Sequence, residues 1–275
     1  MRSDLDAFTN PELTALRAEA LSGGDARLAA DIAALVAERV RRHHTGERLD
    51  VYDDALRHTG VKERGRVHLD GDWHRSFHCW LVSPARRTLL VQRRSAAKAT
   101  FPGALDVSVA GHYRAGEGVR QGCRESEEEL GLQVDPDRLI PMGRSVTASR
   151  HGYLIDREVA DVFLYTSDVR PEALTPDPDE VGAVLEVPLA DGLAMFVGER
   201  EACLARVFPV GDGPAQPVTA GGSGRSQSHG GAPAGPPWDC VAIRPSEFTT
   251  HYDRYYSRLF LQAQRIAAGL PPLPV

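Results

Sequence analysis

Three glutamates lie close together in the segment from Gly111 to Leu132, which reads GHYRAGEGVRQGCRESEEELGL. Residues three and four apart share one face of a helix, so Glu125, Glu128 and Glu129 should project into one arc. Carboxylates held this close repel one another unless a cation lies among them. Such oxygen ligands suit a hard divalent ion such as Mg²⁺ or Mn²⁺, which also bridges readily to phosphate. The segment therefore predicts a metal site, with a solvated acidic helix as the alternative.

The same segment resembles the Nudix box, whose pattern is G-x5-E-x7-R-E-U-x-E-E-x-G-U, with U an apolar residue. The fixed places of that pattern are taken by Gly111, Glu117, Arg124, Glu125, Glu128, Glu129, Gly131 and Leu132. There are two departures, because six residues rather than seven separate Glu117 from Arg124, and Ser126 occupies an apolar place. The resemblance implies that Arg124 pairs with Glu117 and orients the glutamates. The missing residue should shift Glu117 unless the preceding loop compensates.

The resemblance implies a metal-dependent hydrolase that cleaves a diphosphate linkage. The ion is expected on Glu125, Glu128 and Glu129, with the backbone carbonyl of Ala110 as a further ligand. Such an ion polarises a phosphoryl oxygen and lowers the pKa of a bound water. The residues expected to take part in catalysis are Glu125, Glu128, Arg124 and Glu180.

Other charged residues outside the box are candidates for the site. Glu180 lies just before a predicted strand, where similar family members have a D-E-V segment, and it is interpreted as a metal ligand or general base. A solvated acidic loop is the alternative. Arg93 and Arg94 end the predicted strand LLVQRR, and Lys98 follows them. Because consecutive strand residues point to opposite faces, at most one arginine should reach the site and hold a substrate phosphate.

A longer stretch, roughly residues 48–195, resembles the Nudix branch that includes isopentenyl diphosphate isomerase. That isomerase has a catalytic cysteine immediately before a Gly-His pair, and here Ala110 stands in its place. Without the thiol, the acid–base chemistry of isomerisation loses a main participant, so hydrolysis is favoured. His74, His112 and Glu158 fall near places where the isomerase binds its metal, with structural roles as the alternative.

The composition indicates an ordinary globular protein. The chain has 275 residues, a formal net charge of −6 and 42% hydrophobic residues, which suits one medium domain with extensions or two small ones. A pI near 5.9 argues against a dedicated nucleic-acid binder. The start, MRSDLDAFTNPEL, does not resemble a signal peptide, and no apolar stretch is long enough to span a bilayer. Four scattered cysteines without a CxxC indicate reduced thiols, so a cytoplasmic location is expected.

The predicted elements form an α/β fold around the box. Strands are predicted at ERLDVYD, RSFHCWLV, RTLLVQRR, REVADVFLYT and VGAVLEVPL, where branched and aromatic residues are bounded by turn residues. Helices mixed with strands in this order predict an α/β sandwich. The resemblance implies a Nudix-type α/β/α sandwich with a mixed sheet, plus an N-terminal helical hairpin and a C-terminal helix.

Four segments are expected, namely a helical extension (1–47), the Nudix domain (48–210), a flexible Gly/Pro-rich loop (211–237) and a C-terminal helical segment packed on the domain (238–275). The extension should begin with a cap at Asn10, break at residues 22–25 and present one apolar stripe, either for packing or for dimerisation. The loop is too polar and too rich in Gly and Pro to bury a core. Pro245 should open a C-terminal helix with an aromatic face, which suits packing or, alternatively, base stacking.

Three functions are compatible with these patterns. The first is hydrolysis of a nucleoside diphosphate derivative or a related organic diphosphate with Mg²⁺ or Mn²⁺. The second is isomerisation of an isoprenoid diphosphate. The third is non-catalytic, a nucleotide-binding regulator on a Nudix scaffold, which the shortened box and the added terminal segments suggest. The expected partner is a small diphosphate rather than a membrane or a nucleic acid, with a homodimer as an open alternative.

Overall fold

A computed structural model describes residues 5–98, 100–211, 239–252 and 254–273. The loop predicted at 211–237 lies outside these residues, apart from Gly211. The α-helices of the described chain are α1 (Asn10–Ser22), α2 (Ala26–Arg42), α3 (Arg64–Asp70), α4 (Val119–Gly122), α5 (Arg124–Leu130), α6 (Leu189–Phe196) and α7 (Tyr255–Ala267).

The β-strands of the described chain are joined in one hydrogen-bonded network. They are β1 (Arg48–Tyr52), β2 (His58–Glu63), β3 (Trp73–Ser83), β4 (Thr88–Arg94), β5 (Leu105–Asp106), β6 (Val109–His112), β7 (Ile140–His151), β8 (Leu154–Thr166), β9 (Val181–Pro188), β10 (Cys203–Pro209) and β11 (Cys240–Ile243). The main order is β11-β10-β9-β4-β3-β1-β2; β5 pairs with β4, both β6 and β8 pair with β3, and β7 pairs with β8. Only the β3–β8 pair among these described strands is parallel, so the predicted mixed sheet is confirmed.

Strand β3 contributes to two cores, one on each face of the sheet. Phe77, Cys79 and Leu81 point to the face covered by the box helices α4 and α5. Trp80 and Val82 point to the opposite face, which α6 and α7 cover. This alternation follows from the two-residue period of a strand. Apolar residues on both faces are buried, as the predicted α/β/α sandwich requires.

The face under α7 changes from polar to apolar along the strands. On β3 the side chains of His74, Ser76 and His78 precede Trp80 on this face. On β8, Glu158 likewise precedes Ala160, which belongs to the apolar core. The polar halves lie side by side because β3 and β8 run parallel. One end of this sheet face is therefore lined by ionisable side chains.

The N-terminal segment forms the predicted helical hairpin, although its first cap is one residue earlier than expected. Thr9 rather than Asn10 caps α1, because the Thr9 hydroxyl oxygen accepts from the Glu12 N–H at 3.4 Å and the Glu12 carboxylate accepts from the Thr9 N–H at 2.6 Å. Arg39 of α2 is almost fully buried, donates to the carbonyl of Phe8 at 2.7 Å and lies 3.9 Å above the Tyr153 ring. The contact of Arg39 with Tyr153 holds the hairpin against the turn between β7 and β8.

The C-terminal segment differs from its prediction in two respects. It begins with strand β11, and Pro245 opens only a single 3₁₀ turn that ends at Glu247. Phe248 is extended and forms a bridge with Leu105, so this part of the chain extends the sheet instead of turning into a helix. The predicted aromatic helix therefore starts only at Tyr255. Several further elements, including β2, β7, β10 and α6, lie where no element was predicted.

Within the part of the chain that the structure describes, none of the helices has the length and apolar character needed to cross a bilayer.

We expect α7 to stabilise the whole fold. Phe260 is fully buried against α6, where even a Cβ on Gly192 would approach its ring to 2.2 Å. Phe260→Ala should lower the free energy of unfolding by about 3–5 kcal/mol because it leaves a cavity in a packed core. The matched control is Leu261→Ala on the same helix, where 40% of the side chain is exposed and a change within about 0.5 kcal/mol is expected. Urea denaturation measures both, and equal effects would contradict the packing assigned to α7.

Candidate active site

A cavity of about 1230 Å³ lies beside the polar halves of β3 and β8. Its walls come from parts of the chain that are distant in sequence. They include the box, the polar ends of the central strands, the segment after β4 and the residues just before α7. The ionisable residues among them are His43, Glu47, Arg48, Arg64, His68, His78, Arg94, Lys98, Asp106, His112, Arg114, Arg124, Glu125, Glu128, Glu129, Asp156, Glu158, Asp177, Asp179, Glu180 and His251.

The front half of the box adapts to its missing residue. The helix is interrupted at Cys123, between α4 and α5, and α4 begins immediately after Glu117 and Gly118. As a result, Arg124 donates from Nε and Nη2 to the two carboxylate oxygens of Glu117, both at 3.0 Å. The same guanidinium donates to the carbonyl of His112 at 3.0 Å. The pairing of Arg124 with Glu117 is thus present despite the short spacing.

The three box glutamates differ in burial. Glu125 and Glu129 are buried, whereas the Glu128 side chain is 48% exposed. Glu128 pairs with Arg124 at 2.9 Å and with Arg114 at 3.2 Å. Gly111 is needed beside this helix, because a Cβ there would come within 2.0 Å of the Glu125 carboxyl carbon.

Burial perturbs the two inner carboxyl groups. It raises the pKa of Glu125 to about 7, although the adjacent Arg124 guanidinium acts in the opposite direction. Burial and the charge of Glu125 raise the pKa of Glu129 to about 8. Glu129 accepts from the N–H of Ala110 at 3.1 Å, a contact that makes no use of the Ala110 carbonyl. Arg124 Nη1 lies 2.6 Å from Oε1 of Glu125, whereas Glu129 has no ion-pair partner in the described chain, so Glu129 in particular offers oxygen ligands for a cation.

A second cluster of metal-ligating side chains lies at the same cavity, whose wall includes His68, His112, Asp156 and Glu158, while His74 is fully buried beside them. Ring nitrogens of His68, His74 and His112 all lie within 4.8 Å of one another, and so do ligand atoms of His74, Asp156 and Glu158. Within the described residues these are the two groups of at least three His, Cys, Asp or Glu that meet this distance, so the box glutamates do not form a third.

Strand register creates this second cluster. His74 of β3 lies opposite Glu158 of the parallel strand β8, and Ser76 lies opposite His112 of β6. Sequence reasoning named His74, His112 and Glu158 but missed His68 and Asp156. A signal for Asp156 was available, since residues two apart on a strand share a face with Glu158. No comparable local signal marks His68, which reaches the cluster from α3.

The chemistry of the second cluster fits a divalent ion. His74 Nε2 and Asp156 Oδ1 are buried and have no hydrogen-bond partner in the part of the chain that the structure describes. Burial, reinforced by neighbouring charges, lowers the pKa of His68 to about 3 and that of His112 well below its usual range. Neutral imidazoles beside carboxylates are suitable ligands for an ion such as Mn²⁺.

The carboxylates of this cluster are perturbed in opposite directions. Burial and the charge of Glu158 raise the pKa of Asp156 to about 6. Burial alone would raise the pKa of Glu158, but its hydrogen bond with His78 and the charges of His78 and His74 bring it down to about 2. Glu158 is therefore held as a carboxylate next to a more weakly compensated acid.

The candidate phosphate-binding residues are only partly brought to the cavity. Lys98 lines it and forms an ion pair with Glu180, which lies on the same wall. Arg94 also lines it but is bound to Asp106 at 2.9 Å and to the carbonyl of Thr100. Arg93 points elsewhere and donates to the carbonyl of Gly103 at 3.0 Å, so one of the two arginines reaches the cavity.

The cysteines of the described chain lie away from the cavity. Cys79 and Cys123 are buried in the core under the box helices, where burial raises the pKa of both thiols. Cys203 belongs to the opposite core, and Cys240 is exposed on β11. No other thiol among the described residues takes the place of the one missing at Ala110.

Comparisons with known proteins agree with the box. The model of the NUDIX domain matches residues 72–207. An uncharacterized Nudix hydrolase of Clostridium acetobutylicum is 38% identical over 156 residues, which are 56% of this chain and 75% of that protein. Nudix hydrolase 3 of Arabidopsis thaliana is 39% identical over 148 residues, which cover 52% of this chain but only 19% of the plant protein.

The isopentenyl-diphosphate Delta-isomerase of Cutibacterium acnes is 32% identical over 145 residues, covering 50% of this chain and 72% of the isomerase. Among solved structures, a protein from Deinococcus radiodurans is 25% identical, covers 55% of this chain and 90% of its own, and superposes with a TM-score of 0.42.

The unusual Ser126 of the box gives a testable prediction. Its hydroxyl is buried without a hydrogen-bond partner in the described chain. Ser126→Ala should therefore leave the free energy of unfolding unchanged or raise it by about 1 kcal/mol, since a buried unsatisfied group is removed.

The control is Ser108→Ala, because the equally buried Ser108 hydroxyl accepts from the N–H of Leu81 and donates to the carbonyl of Leu90. Loss of the Ser108 hydroxyl should lower the free energy of unfolding by about 1–3 kcal/mol. Denaturant midpoints distinguish the two, and a clear destabilisation by Ser126→Ala would show that its hydroxyl has a partner.

Proposed function

The chain belongs to the Nudix hydrolase family, and from that premise we propose that it hydrolyses the diphosphate linkage of an organic diphosphate with bound Mg²⁺ or Mn²⁺. A nucleoside diphosphate derivative is the substrate class we favour. The observation that supports this most is that the buried box glutamates and four members of the histidine–carboxylate cluster, His68, His112, Asp156 and Glu158, line one cavity of about 1230 Å³. Such a volume is sufficient for a small organic diphosphate.

Two sets of residues would hold divalent ions there. The box would supply Glu125, Glu128 and Glu129, with the Ala110 carbonyl as a further ligand. The second set would be drawn from the histidine–carboxylate cluster, which consists of His68, His74, His112, Asp156 and Glu158. A bound ion supplies charge neutralisation at the phosphoryl oxygens and lowers the pKa of a coordinated water.

The chain's own residues would contribute positioning and charge. Arg124 keeps the box in place through Glu117 and the carbonyl of His112. Lys98 is a cation on the cavity wall that would bind a phosphate, because a phosphate oxygen can replace its partner Glu180. Release of Lys98 would leave Glu180 free to accept a proton from the attacking water or to bind an ion.

Isomerisation is the second candidate reaction, since the histidine–carboxylate cluster lies at places that resemble the isomerase metal site. Ala110 argues against it, because no thiol among the described residues lines the cavity. A non-catalytic regulator on the same scaffold is the third candidate. Tight nucleotide binding without hydrolysis under any divalent ion would favour the regulator.

Removing one inner carboxylate should abolish turnover. With a panel of nucleoside diphosphate derivatives, dinucleotides and isoprenoid diphosphates plus Mg²⁺, Glu129→Gln should reduce kcat by at least about 100-fold, because charge stabilisation at the transition state is lost. Glu128→Gln tests the exposed member of the box in the same way. The matched control is Glu127→Gln on the same helix, whose exposed side chain accepts a hydrogen bond from Gln133 and lies outside the cavity wall.

Phosphate and organic products are measured by ³¹P NMR. Equal turnover by wild type and Glu129→Gln would reject the metal-binding role of the box. An allylic isomer formed from isopentenyl diphosphate without phosphate release would instead support isomerisation.

A second prediction separates metal ligation from fold stability. Asp156→Asn should weaken Mn²⁺ binding by at least about tenfold. The metal-free variant should be as stable as wild type or more so, because a buried carboxylate beside Glu158 is neutralised. Electron paramagnetic resonance of added Mn²⁺ and thermal unfolding measure the two effects.

The matched control is Asp161→Asn on the same strand. Asp161 faces the other side of β8 and pairs with Arg75 and with Arg144, the latter at 2.9 Å. Asp161→Asn should lower the free energy of unfolding by about 1–3 kcal/mol and leave Mn²⁺ binding unchanged. Normal Mn²⁺ binding by Asp156→Asn would remove Asp156 from the site.

A further inference from the structure

The C-terminal helix α7 is connected to the cavity by a chain of hydrogen-bonded side chains. The Tyr255 hydroxyl lies 2.9 Å from the indole nitrogen of Trp80 and 3.0 Å from Nδ1 of His78. The other ring nitrogen of His78, Nε2, lies 3.3 Å from Oε1 of Glu158. Tyr255 is outside residues 72–207, so the family match does not include this connection.

The direction of each hydrogen bond follows from the chemistry of the groups. An indole N–H can only donate, so the Tyr255 oxygen accepts from Trp80. The single proton of the tyrosine hydroxyl is then available for Nδ1 of His78. In its neutral form His78 then carries its own proton on Nε2 and donates it to Glu158.

The opposite tautomer of His78 is disfavoured on both sides of the ring. A proton on Nδ1 would leave the buried Tyr255 hydroxyl without an acceptor. The Nε2 lone pair would also face a Glu158 oxygen, and two acceptors in contact repel each other. The Tyr255 ring has little freedom to relieve this, because it stacks on His251 at a centroid distance of 4.3 Å and packs against Tyr256 at 5.2 Å.

We propose that Tyr255 is a positioning residue for Glu158. It holds His78 in the Nε2–H tautomer, and His78 then holds the Glu158 carboxylate in the orientation in which it would bind a divalent ion. Partners behind a metal ligand restrict its rotation and so determine affinity. This inference rests on the metal-binding part of the proposed function, and it assigns α7 a role in the site as well as in the core.

Two measurements test this role, and only one requires metal. Selective ¹⁵N-histidine labelling of the metal-free protein reports the tautomer of His78, whose signals are assigned by their loss in His78→Gln. Wild type should show the Nε2–H form, and Tyr255→Phe should raise the fraction of the Nδ1–H form, because only the Glu158 contact then opposes it. Mn²⁺ titration should show about tenfold weaker binding by Tyr255→Phe, the lower end of what loss of an outer partner costs.

Tyr165→Phe is the matched control. It removes one hydroxyl from the opposite core, where that group contacts Arg138 at 3.1 Å, and it should change neither the tautomer nor the Mn²⁺ affinity. In a His78→Gln background, Tyr255→Phe should have no further effect on Mn²⁺ affinity, because Tyr255 acts through His78. Additive effects would overturn the inference.

The outcomes separate the inference from the proposed function. Unchanged affinity and tautomer in Tyr255→Phe, with normal Mn²⁺ binding by wild type, would overturn the inference alone. Absence of Mn²⁺ binding by wild type would overturn the metal-binding part of the proposed function and with it the role of Tyr255. An Nδ1–H form in wild type would reject the proposed hydrogen-bond directions, and that measurement needs no variant to fold.

Discussion

The parallel pairing of β3 with β8 is the contact on which the rest of the structure depends. Its register runs without interruption from Trp73 opposite Arg157 to Val82 opposite Thr166. This register places the polar ends of the two strands side by side. It places their apolar ends side by side further along the same face. A shift of one residue would turn the ionisable side chains toward the packed core, where their burial without partners would be costly. The cavity and the core under α7 therefore result from one pairing.

The negative charges of the carboxylates in the cavity are only partly balanced by neighbouring cations. Arg124 pairs with Glu117, Glu125 and Glu128, and Lys98 pairs with Glu180, so among the described residues the buried Glu129 carboxylate is left without an ion-pair partner. The histidines on the facing wall add none when they are neutral. In water each carboxylate would be solvated, but burial makes the absence of a cation unfavourable. The same desolvation strengthens the attraction for a divalent ion that enters.

The N-terminal and C-terminal segments are attached to the sheet in different ways. The N-terminal hairpin is fastened through buried Arg39 to the turn between β7 and β8, which lies beyond the polar end of the sheet. The C-terminal segment adds strand β11 and covers the apolar half of the central sheet with α7. Phe248 and the residues before α7 extend this cover to the cavity wall. The site is therefore enclosed in part by residues that follow the NUDIX domain, which covers residues 72–207.

Local patterns in the sequence were sufficient for the sandwich and the box, because strand alternation and helical spacing act over a few residues, and they also predicted a metal-binding role for the box helix. The sequence alone also pointed to Ala110 as the place of a missing thiol. Local patterns did not reveal that Cys123 interrupts the helix and restores the Arg124–Glu117 contact. They could not place His68 and Asp156 in one cluster or connect Tyr255 to Glu158. Those contacts join residues far apart in the chain, 177 positions for His78 and Tyr255, and only the register between strands and the docking of α7 determine them.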